Sequence, residues 1–269
     1  MHITNLISRG FGFLARTKFP SPIQTFLNNT YVKVLGLDMS EFLTPDSYET
    51  LNALFTRALK RPREIDMLDD NFISPCDSFI SECGKLNKLT SLQIKGMSYS
   101  IEKLLINIEG SKIKSLENGS FMNFYLSPKD YHRYHSPSSC KINRLIHIPG
   151  KLYPVNFSFL KKKLNLFIEN ERVILECTDD KSRLFYMVFV GALNVGQMCF
   201  DFEDKVETNK DASKITEYTY DNLYVKKGDL LGHFKMGSTI VMLWQKDFVK
   251  LEPLSNQKVK FGTIVADKN

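Results

Sequence analysis

The sequence predicts an α+β fold, in which a mainly β body follows an N-terminal helical section. Before about residue 62, apolar residues recur at the spacing of a helix face. From about residue 70 onward, short β-branched and aromatic runs alternate with clusters of Gly, Pro, Asn and Asp, as strands alternate with turns. Because no repeat of solenoid or propeller period is present, we expect one β-rich domain.

The amino-terminal segment carries a helical apolar face. Its apolar residues lie at positions i, i+3, i+4, i+8 and i+11, namely Ile3, Leu6, Ile7, Phe11 and Leu14. Arg9, Arg16 and Lys18 add positive charge nearby. Two interpretations stay open: the helix packs on the protein's own core, or it lies on an anionic membrane with its apolar face down.

A second helix is expected between Thr44 and Pro62. Thr44 suits the N-cap, Pro45 suits the first helical position, and the helix should end before Pro62. Its apolar face comprises Tyr48, Leu51, Phe55, Ala58 and Leu59.

Strand-like runs follow this helical section, at residues 72–74, 121–126, 173–177, 184–190 and 239–244. The longest apolar run, residues 185–193, is far shorter than the roughly 18 to 20 apolar residues that a membrane-spanning helix needs. We therefore expect no helix that crosses a bilayer.

Charge and cysteine content narrow the class of protein. The 36 Lys and Arg residues exceed the 30 Asp and Glu residues, and the net charge of +6 favours an anionic partner, either nucleic acid or anionic lipid. Five cysteines at irregular spacing, with no CxxC pair, predict reduced and mostly buried thiols of a cytoplasmic protein.

The segment SPKDYHRYHSP, residues 127–137, contains His132 and His135. Pro128 and Pro137 exclude a long helix, so we expect a turn or strand edge on which both histidines share one locality. A polar surface loop is the ordinary interpretation of such a pair. A metal site lacks an obvious third ligand.

Asp77 and Ser238 are the other candidates for chemistry. Asp77, in ISPCDSF, is of a type that ordinarily caps a turn. Ser238, in GHFKMGSTIVMLW, opens a strand-like run, and Ile240 replaces the second Gly of a GxSxG nucleophile elbow. With one of the two histidines, Asp77 and Ser238 supply the residue types of an Asp-His-Ser relay, which is recognised by geometry and not by sequence order.

Seven segments carry a more specific pattern, in order along nearly the whole chain: LFTRALKRPREID (54–66), ISPCDS (73–78), YLSPKDYHRYHSP (125–137), IPGKLYPVN (148–156), NERVIL (170–175), VFVGALNVGQM (188–198) and KKGDLLGHFKMGST (226–239). Together they resemble the prokaryotic phosphatidylserine decarboxylases, and the DYHRxHxP and GST motifs are the most specific part. The chain departs from the family pattern at Met236, at Ser78, and at Ser139 with Cys140. Ser78 replaces a usual Gly, and a Gly at positive φ is costly to replace.

The resemblance implies a self-processing proenzyme. The Ser238 oxygen attacks the carbonyl of Gly237, and cleavage yields a β chain, residues 1–237, and an α chain, residues 238–269. Ser238 becomes the cofactor, a covalent pyruvoyl group at the head of the α chain. The implied regions are a helical membrane-associating section at 1–62, a β-rich catalytic body at 63–237, and the α chain that completes the same domain.

The resemblance also implies roles for individual side chains. His135 is the base that activates Ser238, Asp77 orients His135, and Thr239 is a weaker contact for the oxyanion. His132 is the acid of the decarboxylation, with a pKa near neutral. In that reaction the pyruvoyl ketone forms a Schiff base with phosphatidylserine, CO2 leaves, and phosphatidylethanolamine is released. Tyr125 and Tyr131 are lesser candidates for the same pocket.

The implied partners are phosphatidylserine, an anionic membrane surface and the two chains with each other, and not nucleic acid. A homodimer stays open. The implied location is the cytoplasmic side of the cell membrane, as a peripheral protein, and the basic run at residues 161–163 could strengthen that attachment. Two alternatives remain: a lipid-binding homologue that does not process itself, and a serine hydrolase, which the absent GxSxG disfavours.

Overall fold

A computed structural model describes residues 10, 12–86, 92–94, 97–155, 165–193, 197–206, 208–209, 214–235 and 238–269, with backbone only at 92–94, 97 and 238. Several positions named above lie outside the described residues: 3, 6, 7 and 11 of the amino-terminal apolar face, the basic run at 161–163, Met236 and Gly237.

The section before residue 62 is helical, as predicted, although its helices are short. Residues 12–16 are helical, α1 spans Ser21–Leu35, a 3-10 turn spans Pro45–Ser47, and α2 spans Leu51–Phe55. α1 ends at Gly36, whose left-handed backbone (φ 62°, ψ 49°) closes the helix. Within the described part of the β body, three more short helices are present: α3 (Ile101–Leu104), α4 (Gly110–Ser115) and α5 (Leu166–Glu169).

The second predicted helix was wrong in its extent. Thr44 precedes only the 3-10 turn, and Thr50 is the residue that caps α2, accepting a hydrogen bond from the backbone N–H of Ala53. The helix stops before Ala58 because the chain turns toward the β body: the Thr56 carbonyl accepts a hydrogen bond from Arg133 Nε at 3.0 Å.

α1 exposes apolar side chains and buries polar ones. Asn28 is fully buried and donates to the carbonyls of Pro45 and Tyr48, each at 2.8 Å, and Gln24 donates to Asn28 at 2.8 Å. The opposite face exposes Ile23, Phe26 and Val34, the last two by 68% and 74%. Polar anchoring therefore turns the apolar face of α1 outward, against the usual pattern of a surface helix.

The β body is antiparallel throughout the described strands. They are β1 (Asn71–Ile73), β2 (Ser78–Lys85), β3 (Leu92–Ile94), β4 (Met97–Tyr99), β5 (Ser120–Leu126), β6 (Arg133–His135), β7 (Cys140–Ile148), β8 (Arg172–Thr178), β9 (Leu184–Val190), β10 (Met198–Phe200), β11 (Thr216–Thr219), β12 (Tyr224–Val225), β13 (Leu230–Phe234), β14 (Ser238–Trp244), β15 (Val249–Leu251), β16 (Gln257–Val259) and β17 (Ile264–Lys268). All five predicted strand runs are confirmed, each to within two residues at either end.

One large sheet organises the molecule. Its strand order is β11-β7-β8-β9-β14-β5-β2-β16, with β12 also paired to β7. Smaller sheets have the orders β1-β17-β15, β10-β13-β6 and β3-β4. The expected mainly β body with a helical N-terminal section is confirmed.

β14 lies in the middle of the large sheet, between β5 and β9. Ile240, Met242 and Trp244 belong to the hydrophobic core on one face, and Val241 and Leu243 belong to the core on the other. All five are fully buried. The prediction that residues 240–244 form a buried strand is confirmed, and both faces of this strand are covered.

All five cysteines are free thiols, three of them buried, as expected. None of the described helices has the length and apolar content needed to cross a bilayer.

Candidate active site

Asp77 lies in the turn between β1 and β2 and is held by two donors. Arg63 forms a two-pronged ion pair with its carboxylate, with Nη2–Oδ2 at 3.0 Å, and the backbone N–H of Phe261 donates to Oδ1 at 2.8 Å. Arg63 also binds Glu41, at 2.8 and 3.0 Å. A guanidinium between two carboxylates fixes the position of the Asp77 turn.

His135 is the last residue of β6 and is nearly buried, at 8% exposure. Its backbone N–H donates to the Pro75 carbonyl at 2.8 Å, which joins β6 to the Asp77 turn. The ring stacks on Phe261, with centroids 3.7 Å apart and planes inclined by 13°. The same Phe261 that binds Asp77 through its backbone therefore packs against His135 through its ring.

The hydrogen bonds of His135 assign its proton. Nδ1 donates to the Gly228 carbonyl at 2.9 Å, because a carbonyl only accepts, and Nε2 then accepts from the Tyr131 hydroxyl at 3.0 Å. Gly228 has φ +85°, and a Cβ there would lie 2.4 Å from Ile65, so this turn requires glycine. Burial lowers the pKa of His135 to about 4, with Arg133 and Arg63 acting in the same direction. The ring is neutral at pH 7, with its basic nitrogen at Nε2.

His132 is fully buried beside His135 on the same segment. Its Nδ1 donates to the Asp130 carbonyl at 2.8 Å, and its ring packs on Phe55, with centroids 3.9 Å apart. Nε2 is buried with no hydrogen-bond partner among the described residues. Burial, reinforced by the charge of Arg57, lowers the pKa of His132 to about 3, so the expected near-neutral pKa was wrong.

Ser238 begins β14, opposite Leu126 of β5. Nearby, the backbone N–H of Phe234 donates to the His132 carbonyl at 2.9 Å, so the chain that leads into Ser238 runs alongside the histidine segment. The neighbouring Thr239 is fully buried, and its Oγ1 has no hydrogen-bond partner among the described residues. An unpartnered buried hydroxyl is costly, which makes Thr239 a candidate contact for an oxyanion.

Asp77, His132, His135 and the start of β14 thus belong to one locality, but the expected contact between Asp77 and His135 was wrong. Both ring nitrogens of His135 are engaged by Tyr131 and Gly228, and the Asp77 oxygens by Arg63 and Phe261. Phe261 and the Pro75 carbonyl are the structural links between Asp77 and His135. No group of three potential metal ligands occurs in the described part of the chain.

Ser78 does not strain the turn that holds Asp77. It begins β2, pairs with Val259, and is not among the described residues that have positive φ. The serine therefore fits an ordinary extended backbone at this position.

Tyr131 lines two cavities, each of about 450 Å³. His135, Arg63 and Gly228 line one of them; Arg57, Asp77 and Asp130 line the other. The second cavity also includes Ser78 and Val259, which lie at the same end of the large sheet as Ser238. With strands about 4.8 Å apart, β2 and β14 are about 10 Å apart at that end.

Sequence reasoning missed four residues that build this site: Arg57, Arg63, Gly228 and Phe261. Both arginines lie in the LFTRALKRPREID segment, which carried part of the resemblance, so their motif was a usable signal. Phe261 follows β16 with no motif around it, and only the pairing of β16 with β2 brings it to Asp77.

Comparisons with known proteins identify the family of this chain. The family model described as phosphatidylserine decarboxylase matches residues 51–267. The phosphatidylserine decarboxylase proenzymes of Campylobacter jejuni and of Helicobacter pylori strain 26695 are each 45% identical to this chain; the first match covers 97% of both chains, and the second covers 98% of this chain and 97% of the relative. That of Herminiimonas arsenicoxydans is 37% identical, over 91% of this chain and 84% of its own. The chain belongs to the phosphatidylserine decarboxylase family.

Proposed function

We propose that the chain is a proenzyme that cleaves itself between Gly237 and Ser238 and then decarboxylates phosphatidylserine to phosphatidylethanolamine. The observation that carries this proposal is His135, a buried neutral imidazole whose basic Nε2 lies in the same locality as the start of β14. The relatives' names, which include the word proenzyme, support the same conclusion.

His135 performs the first step of processing. The Ser238 hydroxyl takes the position at Nε2 that the Tyr131 hydroxyl holds in this structure, and it gives its proton to Nε2 as its oxygen attacks the Gly237 carbonyl. Thr239 Oγ1 donates to the oxyanion. The Gly237–Ser238 amide becomes an ester of the Ser238 oxygen. Elimination then breaks the bond between Cβ and that oxygen, releases Gly237 as a carboxylate and leaves a dehydroalanine at position 238. Addition of water to its imine tautomer releases ammonia and leaves the pyruvoyl group.

The residues present fit a pyruvoyl group at position 238. Two buried polar atoms without partners among the described residues, His132 Nε2 and Thr239 Oγ1, belong to this locality. The pyruvoyl carbonyl supplies the electron sink that loss of CO2 requires and that no side chain provides.

His132 carries a proton in the second reaction. The ammonium group of phosphatidylserine loses a proton to solvent before its nitrogen reacts, because an imidazole whose pKa is lowered to about 3 is too weak a base to take it. The carbon that CO2 leaves must gain a proton, and His132 Nε2, buried and without a partner among the described residues, relays it. Its low pKa favours this delivery, because a protonated His132 in a buried site is a strong acid.

The exposed apolar face of α1 supports binding of the protein to a membrane surface. Phe26 and Val34 are strongly exposed, and Phe13 and Leu14, within residues 12–16, are exposed by 71% and 60%. Leu14 is the described member of the predicted amino-terminal face. Exposed apolar side chains clustered in one helical section fit the interior of a lipid headgroup layer better than water. We propose peripheral attachment to the cytoplasmic side of the cell membrane through this section.

We further propose that residues 238–269 remain with residues 1–237 after cleavage. β14 is hydrogen-bonded on both edges, to β5 and β9, and both of its faces are buried. The non-processing alternative loses its one support, because Ser78 adopts an ordinary backbone conformation. The homodimer remains a prediction.

Denaturing electrophoresis and intact mass of the purified protein test processing. We expect fragments of 237 and 32 residues, of which the smaller is blocked at its amino terminus by the pyruvoyl group. The Ser238→Ala variant is the control and should stay full-length. Release of CO2 from carboxyl-labelled phosphatidylserine tests the second reaction. A folded wild-type protein that stays full-length would overturn the proposal.

A further inference from the structure

Arg57 is a buried cation whose guanidinium lies over the ring of Phe42, 4.4 Å from the ring centroid. It is 2% exposed, and no described carboxylate lies within the 4.0 Å of an ion pair. Nη2 donates to the carbonyls of Lys129 at 2.9 Å and Asp130 at 3.3 Å, and Nη1 donates to the Leu54 carbonyl at 3.4 Å. Nε is buried and has no partner among the described residues.

Arg172 shows what a structural arginine looks like in this protein. It is 3% exposed and also lacks a carboxylate partner among the described residues. Each of its three nitrogens, however, donates to a backbone carbonyl at 2.9 Å or less: Nε to Leu104, Nη1 to Ile168 and Nη2 to Lys103. Every nitrogen of Arg172 therefore makes a short hydrogen bond, whereas in Arg57 only Nη2 does, at 2.9 Å, and Nε has no partner among the described residues. A buried guanidinium in that state is costly unless an anion joins it.

Arg57 also lines the cavity of about 450 Å³ that holds Asp77. The lining carries four cations and four carboxylates, namely Arg57, Lys129, Lys258 and Lys260 with Asp38, Glu41, Asp77 and Asp130. Lys260 is paired with Glu41, whereas Arg57 has no such partner among the described carboxylates. The Asp130 carbonyl accepts from both Arg57 Nη2 and His132 Nδ1, so the guanidinium and the proton-carrying imidazole are neighbours.

We propose that Arg57 binds the phosphodiester of the phospholipid headgroup, an assignment that rests on the function proposed above. The serine headgroup carries two oxyanions. Its carboxylate must leave as uncharged CO2, and a guanidinium bound there would stabilise the substrate more than the transition state. The phosphodiester keeps its charge throughout the reaction. The Arg57 guanidinium lies beside His132. Bound to the phosphodiester, it would hold the serine moiety toward position 238 without opposing the loss of CO2.

Steady-state kinetics with water-soluble short-chain lipids tests the assignment. The substrate is dihexanoyl phosphatidylserine, and dihexanoyl phosphatidylethanolamine, which retains the phosphodiester and lacks the carboxylate, is the inhibitor. For Arg57→Met we expect the KM of the substrate and the inhibition constant of the product analogue to rise together, by about 10- to 100-fold, as for loss of a charged hydrogen bond. Arg57→Lys, which keeps a buried cation, should show a smaller rise in both.

Arg172→Met is the matched control: it removes a buried arginine from outside the cavity and should leave both constants unchanged. Intact mass first establishes that each variant has cleaved itself, and Arg57→Lys carries the test where Arg57→Met does not fold. Unchanged constants in a cleaved Arg57 variant overturn the proposal. A raised KM with unchanged inhibition by the product analogue also overturns it, because the contact would then be to the carboxylate. Failure of the proposed function itself would appear separately, as a wild-type protein that neither cleaves nor releases CO2.

Discussion

The ring of His135 lies face to face with the ring of Phe261, 3.7 Å away between centroids. Phe261 belongs to the 32-residue segment that processing would separate, and its backbone N–H holds Asp77. The proposed base is thus packed against one fragment while its own backbone belongs to the other.

The two histidines should separate processing from decarboxylation. His135→Ala removes the basic Nε2 near position 238, and we expect it to stay full-length. His132→Ala retains that base, so it should cleave but release CO2 at least about 100-fold more slowly than wild type, the usual scale for loss of a proton carrier. Intact mass and release of labelled CO2 measure the two effects. Two variants that are equally uncleaved would contradict this division of roles.

Processing should be insensitive to pH across the range in which an ordinary histidine titrates. Burial, with help from Arg63 and Arg133, lowers the pKa of His135 to about 4, against the opposing effects of Asp77 and the Gly228 carbonyl. A depressed pKa keeps the imidazole in its basic form until the pH falls to about that value. Precursor from cell-free synthesis, moved into buffers from about pH 8 to about pH 5, should cleave at a constant rate. A rate that falls with a midpoint near the unperturbed value of 6.5 would refute this.

Arg63 should matter for processing through Asp77. Arg63→Met leaves the Asp77 carboxylate without its cation and loosens the turn that holds the Pro75 carbonyl against His135. We expect cleavage to slow by about tenfold or more, on the scale of a lost charge-assisted pair. Glu41→Gln is the control, because it weakens the other side of Arg63 and leaves the contact to Asp77 in place. Time courses by electrophoresis compare the cleavage rates of the two variants. A rate for Arg63→Met equal to that for Glu41→Gln would show that the ion pair between Arg63 and Asp77 has no role in processing.

Removing the exposed apolar side chains of α1 should weaken membrane binding. The double variant Phe26→Gln and Val34→Gln removes two of the most exposed apolar side chains without changing the net charge. We expect its binding to anionic liposomes to be at least about tenfold weaker, because each side chain would bury apolar area in the membrane. Asn29→Gln, on an exposed polar position of the same helix, is the control. Liposome co-sedimentation is the measurement. Undiminished binding of the double variant would place the membrane contact elsewhere.

Local pattern located five of the described strands closely and the helices poorly, for a physical reason. Strand 184–190 is a continuous apolar and aromatic run, as expected for a strand that is buried on both faces. The helix expected to continue to Leu59 instead ends at Phe55, because Thr56 and the neighbouring Arg57 bond residues of the 129–133 region, far along the chain. Hydrophobic periodicity reflects only local structure, so it does not predict contacts with residues so far along the chain.

The candidate site likewise contains residues that the sequence motifs predicted and residues that they did not. Asp77, His132 and His135 were recognisable because their motifs are contiguous in sequence, and the structure brings their turns together. Two groups that contact His135, Phe261 and the Gly228 carbonyl, come from turns next to β16 and β13, and the pairing of those strands brings them to the site. The low pKa values of both histidines arise from burial, which a sequence motif does not express.

If the chain cleaves itself as proposed, the central position of β14 would make folding irreversible. Before cleavage, this strand inserts between β5 and β9 as part of a single chain, so assembly is unimolecular. After cleavage at position 237, the same insertion would require two separate molecules to meet, at a rate set by their concentration and with the added loss of translational freedom. The mature protein is therefore expected to survive only as long as it stays folded, and unfolding, once it occurs in dilute solution, would not reverse.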